Sequence, residues 1–177
     1  MARTLLPLLP MLALLIWAAI DDLRSRRIRN WLTLSLMASG LILSAAGMLP
    51  LKTSQSGLGL LVGFAIPFVL FALGALGGGD VKLLAGIGAW IGPTAVVQTF
   101  LAAAVIGLFI VLVQCAVQGK LFALFRNSAV LTMTILHVGE LGTRTVTETG
   151  QACRSVDRPL PYAVPVLLAT ILIVGFV

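Results

Sequence analysis

Few residues in this chain could do chemistry, and the carboxylates lead them. Asp80 follows three glycines in the stretch Gly77-Gly78-Gly79-Asp80-Val81-Lys82, between two long apolar runs. An ionised carboxylate loses hydration in lipid-like surroundings and is expensive to keep there. The glycines end a helix and leave a backbone without side chains, so an extended peptide could approach the acid closely. Asp21 and Asp22 form a second acidic place, directly after the apolar run at 4–20. If Asp22 and Asp80 share one membrane depth, they cannot both ionise easily and hold one proton between them. One then activates water as a base, and the other protonates the carbonyl or the leaving amine. That chemistry uses no metal, serine or cysteine. Plainer readings exist for each place. Asp80 would be a solvated acid at a helix N-terminus after a glycine turn, and Asp21 and Asp22 would balance Arg24, Arg26 and Arg27.

The remaining polar residues offer less. Cys115 and Cys153 have no metal-type spacing, and the single His137 cannot complete a zinc site, so no metal and no cofactor is expected. Lys82 could stabilise Asp80, meet a substrate carboxylate, or simply snorkel from a helix end. Asn30 could cap the second helix or hydrogen-bond near the acids. Trp17, Trp31 and Trp90 fall near the ends of apolar runs, as interface anchors do. Gly86, Gly88 and Gly92 suit close helix packing.

The elements that must position these groups are membrane helices. The 177 residues are 59% hydrophobic and 10% charged, with a mean hydropathy of +1.10. A soluble domain is roughly a quarter charged. The chain therefore reads as one all-α integral-membrane domain over 1–177, a helical bundle of about six spans. The net charge of +6 reads as cytoplasmic loops and not as a nucleic-acid surface.

The spans expected are 4–20, 30–49, 57–76, a short helix at 81–91 broken by Gly92-Pro93, then 94–117 and about 160–177. Pro67 should kink the third of these. Arg24, Arg26, Arg27 and Arg29 follow the first span, which only Arg3 precedes, so 21–29 belongs inside and both chain ends outside. This argues for a retained helix and against a cleaved signal peptide. Residues 119–158 form a cytoplasmic loop whose apolar part, 121–138, is interrupted by Arg126, Asn127 and His137 and fits a helix lying on the membrane surface. The arrangement leaves every basic residue except Arg3 and Lys52 inside. It also brings Asp22 and Asp80 to the same face.

The run Asp22-Leu23-Arg24-Ser25-Arg26-Arg27-Ile28-Arg29-Asn30-Trp31, followed by Gly77-Gly78-Gly79-Asp80-Val81-Lys82-Leu83, resembles the bacterial type IV prepilin peptidases, membrane aspartic proteases with a GxGD motif. Leu160-Pro161-Tyr162-Ala163-Val164-Pro165 looks like the C-terminal motif of that family. No long insert precedes Asp22, which resembles the short branch that serves Flp-type, tight-adherence pili. The resemblance implies that Asp22 and Asp80 are the catalytic pair; on the residues' own chemistry, Gly77, Gly78 and Gly79 are the candidates for substrate backbone approach, and Lys82 and Asn30 the candidate supporting residues. Asp21 has no counterpart in the motif. Arg29 stands where the family usually has proline, which bears on how the second helix begins.

The expected function is an endopeptidase that cuts the leader from prepilins or pilin-like proteins at the cytoplasmic face of the bacterial inner membrane. Its partners would be the prepilin substrate, membrane lipid and the pilus-assembly machinery, with no nucleic acid. Long members of the family also methylate the new terminus through an extra cytoplasmic region, so cleavage without methylation is expected here. Two rivals come from other classes. A small transporter or channel subunit would use Asp80 as an ion site, with the acids nearer the midplane. A non-catalytic assembly scaffold would keep the fold without cutting.

Overall fold

A computed structural model of the protein describes residues 6–119 and 161–176. The described residues are all-helical. A 3₁₀ turn at Leu6–Leu8 leads into α1 (Leu9–Ser25), followed by α2 (Asn30–Ala45), α3 (Thr53–Ala72), α4 (Gly78–Val117) and α5 (Ala163–Phe176). Two of these, α3 and α4, are long and apolar enough to cross a membrane, and α2 and α5 are shorter apolar helices. The surface-helix expectation at 121–138 lies outside the described residues.

The outside of the bundle is as apolar as the inside. Leu61, Phe64, Phe68, Leu101, Val105, Leu108 and Phe109 are all exposed. In water such a continuous apolar surface would drive association; in a bilayer it faces lipid. With no gain from hiding apolar surface, the helices hold together by close packing.

The seam between α3 and α4 shows how. Ser56, Gly59, Gly63 and Pro67 form the buried stripe of α3, and Leu84, Gly88 and Gly92 line the facing side of α4. A Cβ on Gly59 would strike the Gly88 carbonyl, and one on Gly88 would strike the Gly59 carbonyl. Each glycine is needed because the opposing backbone occupies the space of a side chain. The Ser56 hydroxyl donates to the Ala89 carbonyl at 2.6 Å across the same seam. Pro67 sits buried within an uninterrupted α3.

α4 is broken where expected. Gly92 has φ 85° and ψ 176°, a conformation that a side chain disfavours, and Pro93 begins the second arm without a backbone N–H to offer. The two expected helices are thus arms of one element.

α2 packs on the first arm of α4 through Trp90. Its Nε1–H donates to the Leu36 carbonyl at 2.9 Å, and its ring lies 2.8 Å from where a Gly40 Cβ would stand. Trp90 is therefore a core residue, 1% exposed, and the expectation of an interface anchor is corrected. The indole fills the notch that Gly40 leaves and finds its acceptor inside the protein. Trp17 and Trp31 are exposed and meet edge to face, their centroids 5.6 Å apart.

Candidate active site

The site residues gather where α1 ends, α2 and α4 begin, and α5 begins. Asp21 and Asp22 do not follow the first helix as expected. They lie inside its last turns, because α1 continues to Ser25. It stops at Arg26, which takes the left-handed conformation (φ 52°, ψ 30°) while its N–H bonds the Asp22 carbonyl at 2.8 Å. The Ser25 hydroxyl closes this end by donating to the Asp21 carbonyl at 2.7 Å. A helix keeps each side chain's direction fixed, so the two neighbouring acids diverge by about 100°.

Asp22 faces the bundle. It is 7% exposed, and its Oδ2 accepts the backbone N–H of Ala163, the first residue of α5, at 3.1 Å. The first N–H groups of a helix have no partner within it and carry partial positive charge, which suits a carboxylate. Asp22 also lies within the field of the Arg26 guanidinium.

Asp80 stands in the first turn of α4, three residues beyond the N-cap Gly77. Its N–H donates to the Gly77 carbonyl at 3.1 Å, and its carboxylate takes the Gly77 N–H in return. This is the return half of a capping box, with Asp in the place more often held by Glu or Gln, since Gly77 has no side chain to complete it. It explains the first glycine: a Cβ on Gly77 would stand 2.9 Å from Asp80 Oδ2. A Cβ on Gly78 would rest against the Phe71 ring at 3.4 Å, and one on Gly79 against Ile28 at 3.4 Å. The glycine backbone therefore makes room for residues of this chain, the Asp80 carboxylate first among them.

The two acids share one neighbourhood. The Asp22 charge acts directly on Asp80, and the Asp80 charge in turn reaches the Tyr162 phenol. Tyr162 packs against the core, beside the Ala163 N–H that holds Asp22. Two carboxylates so placed can share one proton and serve as an acid and a base. The contact between Asp22 and the start of α5 was not legible in the sequence. The signals at this place are the C-terminal motif at 160–165 and a helix beginning after Pro161 with free N–H groups, and neither names Asp22 as the partner.

The supporting residues meet each other. Lys82 Nζ donates to Asn30 Oδ1 at 3.0 Å, which links the start of α2 to the second turn of α4. The expected Asn30 cap is corrected: the N-cap is Arg29, with no side-chain cap bond, and Asn30 is the first helical residue. Arg29 has φ −66° and ψ 134°. That φ is one a proline would also adopt, so the arginine preserves the backbone with which the helix begins. Its Nε lies 3.3 Å from Asp21 Oδ2. This is charge pairing without hydrogen-bond geometry, since the same oxygen accepts no hydrogen bond.

Comparison with known proteins adds the family. Residues 9–112, more than half of the chain, match the type IV leader peptidase family. A preflagellin peptidase of Methanococcus voltae is 38% identical over 87 residues, which is 46% of this chain and 36% of that protein. A prepilin leader peptidase/N-methyltransferase of Pectobacterium carotovorum subsp. carotovorum is 33% identical over 110 residues, 58% of this chain and 39% of that protein. A preflagellin peptidase of Methanocaldococcus jannaschii is 42% identical over 81 residues, 44% of this chain and 34% of that protein. The matched region thus spans little more than a third of these relatives. No solved structure matches the chain. The match to the family model, which takes in Asp22, the glycine loop and Asp80, shows that the chain belongs to the type IV leader peptidase family.

Proposed function

We propose that this chain is a membrane aspartic endopeptidase that removes the leader peptide from prepilins or pilin-like proteins, with Asp22 and Asp80 as its catalytic pair. The observation that carries the reading is that these two acids, from helices far apart in sequence, lie at one end of the bundle within reach of each other's charge. Family membership and the likeness to prepilin and preflagellin peptidases support it.

In this mechanism the scissile carbonyl lies between the acids. The ionised carboxylate takes a proton from water as the water attacks, and the protonated one donates to the carbonyl oxygen. The first carboxyl then passes its proton to the leaving amine as the C–N bond breaks, and the second takes one back from the diol hydroxyl. The Ala163 N–H fixes the direction of Asp22, and the Gly77 N–H fixes that of Asp80. Holding both before substrate arrives is where such a site gains its rate.

The reading places the whole chain as one domain of about six membrane spans in the bacterial inner membrane, with the acids at the cytoplasmic face. A substrate with its leader in water and an apolar helix in lipid then presents its cleavage point at the depth of Asp22 and Asp80. Cleavage proceeds without methylation, and the pilus-assembly machinery is a further partner. Co-expression with the pilin of the same system tests the reading. Leader removal, read by intact mass, is the expected result, and an uncut pilin beside a well-accumulated enzyme would overturn it.

A further inference from the structure

The connection from Arg26 to Arg29 joins α1 to α2 and runs past the glycine loop. Three contacts hold it there. Asp21 pairs with Arg29 at 3.3 Å; Ile28 lies against Gly79, its Cβ 3.4 Å from where a Gly79 Cβ would stand; and Asn30 accepts the Lys82 hydrogen bond. The first contact is the unusual one. The Arg29 side chain is 62% exposed and the Asp21 side chain only 9%, so a buried charge depends on a cation reaching in from the surface. A pair between two exposed groups would contribute little. Removing the partner of a buried charge is costly, because the charge is left without water or counterion. Asp21 also precedes Asp22 on the same helical turn, so what holds Asp21 influences the direction of Asp22.

We propose that Asp21 and Arg29 are a positioning pair for the reaction, strapping the α1–α2 connection against the glycine loop so that Asp22 is held toward Asp80. The claim rests on the peptidase reading for its kinetic consequences, but the strap itself can be read without catalysis. Neither residue touches substrate. Each acts through the loop between them: Arg29 draws the chain back over Asp21, Ile28 is pressed onto Gly79, and α1 and α4 are kept in register at the end where both acids sit.

The strap is tested first by crosslinking in the full-length protein in membranes, with Cys115→Ala and Cys153→Ser removing the native thiols. Ile28→Cys with Gly79→Cys places two Cβ atoms near the separation of about 3.8 Å that a disulfide needs. Mild oxidation should join them readily. Adding Arg29→Gln or Asp21→Ala should slow the joining about 5-fold or more, as expected when roughly 1 kcal/mol of local stability is lost. Equal crosslinking with and without the pair overturns the strap.

The second arm, without the introduced cysteines, reads pilin cleavage. Arg29→Gln should lower kcat on the order of 10-fold and leave KM within about twofold, since small misplacement of reacting groups affects the chemical step. Arg29→Lys should recover most of that loss, and Asp21→Asn with Arg29→Gln should be no worse than Arg29→Gln alone. An unchanged kcat, or losses that add, overturns the positioning role. If even the parent protein leaves the pilin uncut, the peptidase reading fails and the crosslinking arm decides the strap alone.

Discussion

The α3–α4 seam and the acidic end of the bundle are built on opposite terms. Along the seam, Gly59 and Gly88 bring two backbones together until no side chain fits between them, and the one polar contact, from Ser56 to Ala89, is buried and satisfied. At the acidic end, Asp21 and Asp22 are buried acids held by single contacts from other parts of the chain, Arg29 for one and the Ala163 N–H for the other. The seam fixes α4 by shape, which tolerates no enlargement. The acidic end fixes two side chains by a few polar contacts, which can be removed while the helices remain. The first region should fail as folding, and the second as function.

The largest effect should come from breaking the seam. Gly59→Val pushes a branched side chain into the Gly88 carbonyl, and the helices must separate, at a cost of about 3 kcal/mol or more. Protein level and protease resistance in membranes check this, and the expected result is little folded protein. Normal accumulation would mean that the seam is looser than its geometry.

Gly77→Ala sharpens the comparison, because the same kind of substitution falls at the other region. Its methyl would meet Asp80 Oδ2 instead of a neighbouring helix. Accumulation should be normal and leader cleavage slower by on the order of 10²-fold, the scale expected when a reacting group is displaced by about 1 Å. Cleavage at the parent rate would show that Asp80 does not need the position it holds against Gly77.

Smaller still is Ser56→Ala, which removes one hydrogen bond from the seam without enlarging it. A loss of about 1 kcal/mol in stability is expected, read as a modest fall in thermal midpoint in detergent, with cleavage unaffected. A large loss of activity there would join the two regions that the comparison separates.

The described helices and the places of the two acids were legible in the sequence, and the acids' partners were not. Apolar length marks a membrane helix, but in lipid both faces are apolar, so the pattern that shows which face is buried in a soluble helix is missing. Small residues carry that information instead, as Gly59 and Gly88 do. Trp90 was misread for this reason: its place near a glycine-proline break looked like a membrane boundary, while the notch at Gly40 that receives it lies on another helix. Asp22 was legible through its place in a motif. Its partner was not, because a backbone N–H is contributed by every residue but proline and leaves no mark in the sequence. The Asp21–Arg29 pair was hidden differently, since it forms only when Arg26 takes its left-handed turn and the chain doubles back.

The claim most open to a direct test is that Asp22 and Asp80 act together as acid and base. Asp22→Asn and Asp80→Asn keep side-chain shape but cannot exchange a proton, and a lost acid–base group costs on the order of 10²–10⁴-fold. Each variant, and the double variant, should be co-expressed with the pilin and the intact pilin mass measured beside the amount of enzyme in the membrane. Full-length prepilin is expected in all three, with enzyme levels equal to the parent and the double variant no worse than either single one. Leader removal near the parent rate by well-accumulated Asp80→Asn protein would contradict the account.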